Sequence, residues 1–170
     1  MQQSIAIQIS NYKQGSVFTP ADFSNIASRD NIDQTLSRLK RAGYIRRLQH
    51  GLYDKPVVNG RFGTLPPDIN KAAHVYMSKF GYKLQVHPAK AAHLLGLSDQ
   101  VPSSYSYLTD GRNKTMVIGN TKVSFKHASA RKMIGIGTKA GLVVQALYYF
   151  GMDYFDQYAN NDQSSNNILR

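Results

Sequence analysis

Residues 28–43, SRDNIDQTLSRLKRAG, place Ile32, Leu36 and Leu39 at i, i+4 and i+7, with Ala42 beside them and Gly43 as a C-terminal stop. That period predicts an amphipathic helix with one apolar stripe. Ser28 or Asp30 is suited to cap its start. Arg38, Lys40 and Arg41 fall in the last turns, where cations complement the helix dipole. The dipole is a sufficient account of those charges taken alone. On a helical wheel, however, Asp30, Gln34, Ser37, Arg38 and Arg41 point away from the stripe, and Asn31 and Thr35 flank it. These are hydrogen-bonding side chains of the kind that reads base edges. Arg pairs with guanine O6 and N7, and Asn and Gln pair with adenine N6 and N7.

Working outward, Ile5, Ile9 and Tyr12 fit one helical face, although Ile5, Ile7 and Ile9 also alternate as in a strand; helix is the preferred reading. Lys13-Gln14-Gly15 ends it, and Ser16-Val17-Phe18 is a short extended piece. Thr19-Pro20 supplies a hydroxyl cap followed by proline at the first helical position, which predicts a helix from Pro20 to about Ala27 with Phe23 and Ile26 inward. On the other side, Tyr44 to Leu48, a turn at Gln49-His50-Gly51, and Leu52 to Lys55 predict a two-stranded hairpin ending at Pro56. Arg46 and Arg47 are adjacent, so one of them must face outward. Helix, short strand, helix, helix, hairpin is the order of a winged helix-turn-helix, whose last helix enters the major groove while the hairpin reaches an adjacent groove or phosphate. On this reading Asn31, Gln34, Thr35 and Arg38 face bases, and Arg41, Arg46, Arg47 and Lys55 face phosphates.

The composition agrees with that use. The chain has 170 residues, room for one ordinary domain or two small ones, and 42% of them are hydrophobic, enough for a core. Twenty-one Lys and Arg oppose ten acids, all Asp, for a net charge of +11; such an excess points to phosphate, anionic lipid or an acidic partner. The absence of cysteine excludes disulfides, thiolate metal sites and a thiol nucleophile. No apolar signal region opens the sequence, which argues for the cytoplasm. The most apolar stretch, Ala140 to Met152, is too short to cross a bilayer and reads as a buried helix.

Asn59-Gly60, a turn-forming pair, marks the expected boundary between a winged-helix domain at 1–59 and an α+β domain at 60–155, with a polar tail at 156–170. The tail includes NNDQSSNN, and Ile168-Leu169 beyond it reads as the possible start of another element. In the second domain, helices are predicted from about Pro67 to Phe80, from Pro88 to Gly96, and from Thr138 to Phe150. The first would pack through Ile69, Ala72, Ala73, Tyr76, Met77 and Phe80; the second through Ala91, Ala92, Leu94 and Leu95; the third through Leu142, Val143, Ala146, Leu147 and Phe150. Tyr105 to Thr109, Thr115 to Ile118 and Thr121 to Phe125 predict a three-stranded antiparallel meander, with Lys122, Ser124 and Lys126 on one face of its last strand. From Gly111 to Met152 there is no acid, and Arg112, Lys114, Lys122, Lys126, Arg131 and Lys132 form a candidate basic patch, with Lys139 nearby in sequence. A solvated face is the plainer account of that run. The fold class is α+β, a winged helix-turn-helix followed by a mixed helix and antiparallel-sheet domain.

Residues 15–56, GSVFTPADFSNIASRDNIDQTLSRLKRAGYIRRLQHGLYDKP, resemble the N-terminal domain of AbiEi-type antitoxins, the repressor and antitoxin halves of abortive-infection toxin–antitoxin pairs. The likeness lies in FTPADF, DQTLSRLKRAGYIRR and HGLYDKP, and continues through HPAKAAHLLGLSDQVP at 87–102 and the hairpin-rich stretch beyond it, so that it covers most of the chain. These are soft motifs of apolar spacing and turns. The resemblance implies an autorepressor on double-stranded operator DNA with inverted repeats, whose second domain neutralises a nucleotidyltransferase-like toxin. Antitoxins of this class are described as acting without a stable toxin complex.

Other chemistry is not expected. GIGTKAG, residues 135–141, lacks the Gly-Lys-Ser/Thr order of a phosphate loop and the glycine spacing of a dinucleotide fingerprint, so it reads as a helix start. The five histidines have no HxxxH or HExxH spacing, and neither a metal site nor a cofactor is expected. His50 in the hairpin turn and His127 after the cationic strand are placed to touch phosphate, or are ordinary surface histidines. No GxSxG and no acid–base pair is present, so no catalytic residue is assigned. The competing reading is a winged-helix interaction module that binds an acidic protein or RNA through the basic second domain.

Overall fold

A computed structural model describes residues 2–151, with side chains from residue 5 onward. The protein is of mixed α+β class, and its N-terminal arrangement of helices and strands is compatible with a winged helix. The described residues fall into two compact units, one of residues 2–83 with 114–124, the other of 84–113 with 125–151.

The first unit opens with α1 (Gln2–Asn11) and β1 (Val17–Phe18), followed by a single 3-10 turn (Pro20–Phe23), α2 (Arg29–Arg41), β2 (Arg46–Gln49) and β3 (Leu52–Asp54). Ile5 and Ile9 are buried and Ile7 is 59% exposed, so the helical period governs α1 rather than the alternation. The expected helix from Pro20 to about Ala27 is corrected to the 3-10 turn and a following non-helical turn. Thr19 N–H donates to Asp22 Oδ2 at 2.7 Å, which fixes the start of that turn. Ile5, Ile9, Phe18, Phe23, Ile32, Leu36 and Ile45 form one buried cluster, with Tyr12, Leu39 and Tyr53 packed against it. The strand order is β1-β3-β2, all antiparallel.

At the end of α2, Gly43 takes a φ of +76°, and Tyr44 N–H donates to Leu39 O at 3.0 Å while Gly43 N–H donates to Lys40 O at 3.1 Å. This is the closure that a glycine after the last turn allows, and it turns the chain into β2. Beyond β3, β4 (Val58–Asn59) and β5 (Gly63–Thr64) form a small hairpin, with Asn59 ending β4 and Gly60 opening the turn. Asn59 Oδ1 accepts from Arg61 N–H and Phe62 N–H, leaving Phe62 exposed at the tip. The unit also holds α3 (Ile69–Ser78), whose Ile69, Ala72, Ala73, Tyr76 and Met77 are buried. Phe80, expected on that face, follows the helix end and is exposed.

The remaining strands are β6 (Leu84–Val86), β7 (Tyr105–Thr109), β8 (Lys114–Ile118) and β9 (Thr121–His127), in a sheet of order β6-β7-β9-β8. The expected meander would place β8 in the middle; instead β9 lies between β7 and β8. The reason is legible in burial, since Val123 and Phe125 of β9 are buried while Lys114, Thr115 and Val117 of β8 are exposed and suit an edge. β9 continues two residues beyond the expected Phe125. On its other side, Lys122 and Lys126 are exposed, as the alternation predicted.

The second unit also contains α4 (Pro88–Leu94), a 3-10 turn (Ala130–Met133) and α5 (139–151). Ala91, Ala92 and Ala146 form its small buried cluster, joined by Val86, Leu142 and Tyr149. Leu94, Leu95, Val143, Leu147 and Phe150, expected in the core, are exposed, because alanines make the α4–α5 contact and the longer side chains stand outside it. The reading of 140–152 as a wholly buried helix is corrected accordingly, as α5 buries only one face. Met152 and the polar tail at 156–170 lie outside the described residues. Among the described residues no helix is long and apolar enough to cross a membrane.

His87, before α4, has its pKa held below the usual imidazole range, first by burial and then by the charge of Lys126. A depressed histidine binds fewer protons folded than unfolded, so it contributes stability above the unfolded value near 6.5 that is lost as pH falls through the folded one. Acidification below about pH 6.5 should lower the Tm of the wild type more than that of His87→Gln. Parallel melting curves of the two proteins from neutral to mildly acid pH measure the difference; equal slopes would remove His87 from the account.

Candidate nucleic-acid interface

The buried cluster fixes which way α2 faces. Ile32 and Leu36 enter the core, and Leu39 packs on it, so Gln34, Arg38 and Arg41 are carried on the exposed side with Asp30 and Lys40. Asn31 and Ser37 are half-buried at the margins. Three of the four expected base-reading residues therefore keep some access to solvent: Gln34 and Arg38 are exposed, and Asn31 is half-buried.

Thr35 does not. It is 5% exposed, and its Oγ1 is buried with no hydrogen-bond partner. Its assignment to base reading is withdrawn, because α1 and the 3-10 turn both pack on α2 and widen the covered face beyond the Ile32–Leu36–Leu39 stripe. A buried hydroxyl without a partner is destabilising. Thr35→Val keeps the shape and β-branching and removes that group, so it should leave stability unchanged or raise it by up to about 1 kcal/mol. It should also leave duplex binding intact. Urea unfolding and a binding titration check both halves.

The two adjacent arginines of β2 face opposite ways. Arg46 stands across from Asp54 of β3 in the ladder. Its Nε donates to Asp54 Oδ1 at 3.0 Å, its Nη2 to Oδ2 at 2.6 Å, and its Nη1 to Leu65 O at 3.0 Å. All three nitrogens are thus engaged inside the protein, and Arg46 is reassigned from phosphate contact to a structural ion pair. Arg47 is exposed and donates from Nη2 to His50 Nδ1 at 2.7 Å, which sets its guanidinium over the hairpin turn. Lys55 is likewise reassigned: its Nζ donates to Ser10 O at 2.7 Å and to Tyr12 O at 2.8 Å, closing the C-terminal end of α1. What remains outward on the first unit is Gln34, Arg38 and Arg41 on α2 and Arg47 with His50 on the wing.

The basic residues from the second part are divided. Lys114 and Lys122 lie in the first unit, and Arg112, Lys126, Arg131 and Lys132 in the second; all six are exposed. Within the second unit, His127 is engaged by the loop between β7 and β8: its N–H donates to Asn113 Oδ1 at 2.6 Å, and its Nδ1 lies 2.8 Å from Gly111 O. Lys132 stands over the Tyr148 ring, 5.7 Å from its centroid. The GIGTKAG segment forms a tight start to α5, with Thr138 Oγ1 donating to Gly135 O at 2.7 Å and accepting from Gly141 N–H at 3.0 Å. Among the described residues, no three His, Cys, Asp or Glu side chains come together as metal ligands do.

A family model covers residues 4–170, nearly the whole chain. The chain belongs to DUF6088, a family of unknown function. Comparison with curated proteins gave no match. In this DUF6088 chain, Lys79 and the rings around it are the surface residues that sequence reasoning passed over. The reading of 67–80 as a plain amphipathic helix offered no sign that its C-terminal end meets the wing turn.

Proposed function

We propose that this DUF6088 chain is a sequence-specific DNA-binding transcriptional autorepressor and the antitoxin of a toxin–antitoxin pair. The observation that carries the DNA reading is the orientation of α2: Ile32 and Leu36 are committed to the core while Gln34, Arg38 and Arg41 remain outward, next to a wing that exposes Arg47. A helix so held can lie in a major groove, with Gln34 and Arg38 at base edges, Asn31 at the margin, and Arg41 and Arg47 on phosphates. The positive net charge favours approach to a duplex from any direction. The expected operator is an inverted repeat, bound by two copies.

The antitoxin half of the proposal rests on the likeness of residues 15–56 and 87–102 to AbiEi-type antitoxins, and names a nucleotidyltransferase-like toxin as the functional partner. No cofactor or catalytic residue enters this function. A reporter driven by the DNA upstream of the protein's own gene should be repressed by the wild type and released by Arg38→Ala. Co-expression should restore growth arrested by the product of the neighbouring gene. An indifferent reporter would overturn the repressor, and failure of rescue the antitoxin. Binding confined to RNA or an acidic protein would favour the interaction-module alternative.

A further inference from the structure

Two lysines converge on one exposed aromatic ring beside the wing turn. Lys79 follows the last residue of α3, and its Nζ lies 5.5 Å from the centroid of Phe80. Lys114, at the start of β8, places its Nζ 5.6 Å from the same ring and 4.9 Å from that of Tyr76, whose hydroxyl accepts its hydrogen bond. The ring is held in place by its neighbours: Tyr76 meets Phe80 edge-on at 5.2 Å, and Tyr82 stacks on it at 6.4 Å. Phe80 and Tyr82 remain 49% and 39% exposed. The backbone beneath them is fixed as well, since Gly81 takes a φ of +74° and Tyr82 N–H donates back to Met77 O at 3.1 Å.

This cluster sits against the wing. A methyl added to Gly51, in the turn between β2 and β3, would come within 2.9 Å of Lys79 Nζ. The same turn carries His50 and its partner Arg47. Among the described residues neither Lys79 nor Lys114 stands in an ion pair with a carboxylate. Like charges gathered on a ring without a counter-ion leave a local positive field, and a phosphate is the group that relieves it. Ammonium groups already seated on aromatic rings also lose less side-chain freedom on meeting an anion than free lysines do.

We infer that Lys79 and Lys114, seated on Phe80 and Tyr76, form a second phosphate-gripping point beside the wing turn and lengthen the contact with duplex DNA beyond the reach of α2. The inference rests on the duplex reading of α2. It assigns no base preference to this point, because ammonium groups grip the sugar-phosphate backbone without reading sequence.

The test is the salt dependence of binding by the full chain, between about 50 mM and 200 mM salt, to the duplex upstream of its own coding sequence. Each lysine on a phosphate contributes about 0.9 to the slope of log K against log salt, so Lys79→Gln with Lys114→Gln should reduce its magnitude by about two. The preference for this duplex over a scrambled one should be unchanged. Trimming each end by about five base pairs, roughly half a helical turn, should abolish the difference between wild type and variant. If the double variant melts early, Lys79→Gln alone, which leaves the Tyr76 contact intact, should reduce the slope by about one. An unchanged slope in a wild-type background that binds duplex and depends on Arg38 overturns this inference alone. A wild type that binds no duplex overturns it together with the reading of α2. Lysine changes that impair only single-stranded RNA or an acidic protein would overturn it in favour of that partner.

Discussion

Arg46→Ala should lower the unfolding free energy by about 3 kcal/mol, whereas Arg47→Ala, one residue along, should change it by no more than about 0.5 kcal/mol. The two residues have the same chemistry and opposite surroundings. Asp54 is 2% exposed, and Arg46 supplies both nitrogens that face its carboxylate. Removing Arg46 leaves a buried charge without its partner, the costly direction in which to break such a pair, and also removes the donor to Leu65 O. Arg47 is exposed, and its guanidinium donates to exposed His50 on the wing. Its loss should instead weaken binding to every duplex and reduce the salt slope by about one unit. Urea titrations beside mobility shifts separate the two effects. Equal losses of stability from the two substitutions would show that the register of this hairpin is wrong.

The second large effect is expected at the start of α5. A Cβ on Gly141 would lie 1.9 Å from Gly135 O and 2.5 Å from its carbonyl carbon, and both are backbone atoms that cannot swing aside. Gly141→Ala must push the two segments apart. It would thereby break the bonds through which Thr138 joins them: its N–H and Oγ1 both donate to Gly135 O, and its Oγ1 accepts from Gly141 N–H. Overpacking combined with these losses should cost about 3 kcal/mol. Gly137→Ala is the control. Gly137, unlike Gly141, has a positive φ, +73°, and its Cβ would meet open space, so the cost should be only the about 1 kcal/mol of a side chain in the left-handed region. Equal destabilisation of the two variants under urea would mean that the close approach of Gly135 and Gly141 does not exist.

Much of the first unit is legible in its sequence because a few residues carry strong local signals. Ile32, Leu36 and Leu39 repeat with the helical period, Gly43 closes the helix, and His50-Gly51 forms the turn between two short strands. Thr35 shows where such reading stops. It lies at the flank of the stripe, and whether a flanking position is covered depends on how far α1 and the 3-10 turn extend around the helix. Arg46 was only partly within reach: Asp54 is the only acid in the hairpin, but a plain two-residue turn sets Arg47 opposite it, and the register shift between Arg47 and Gln49 brings Arg46 there instead. Lys55 was not, because the carbonyls it caps belong to a helix more than forty residues earlier. The strand order fails for a similar reason. Consecutive strands usually neighbour one another, but the apolar side chains of β9 favour the protected middle of the sheet. The lysine cluster on Phe80 combines residues from α3 and β8, which are distant in sequence.

The orientation of α2 is best tested by competition between the upstream duplex and a scrambled duplex of the same length, at fixed salt, for the wild type and Arg38→Ala. The wild type should prefer the upstream sequence, and Arg38→Ala should reduce that preference by about 1 to 3 kcal/mol, roughly 5- to 150-fold, with little change in affinity for the scrambled duplex. A wild type that binds the two alike, or a preference untouched by the loss of Arg38, would contradict a base-reading role for this helix.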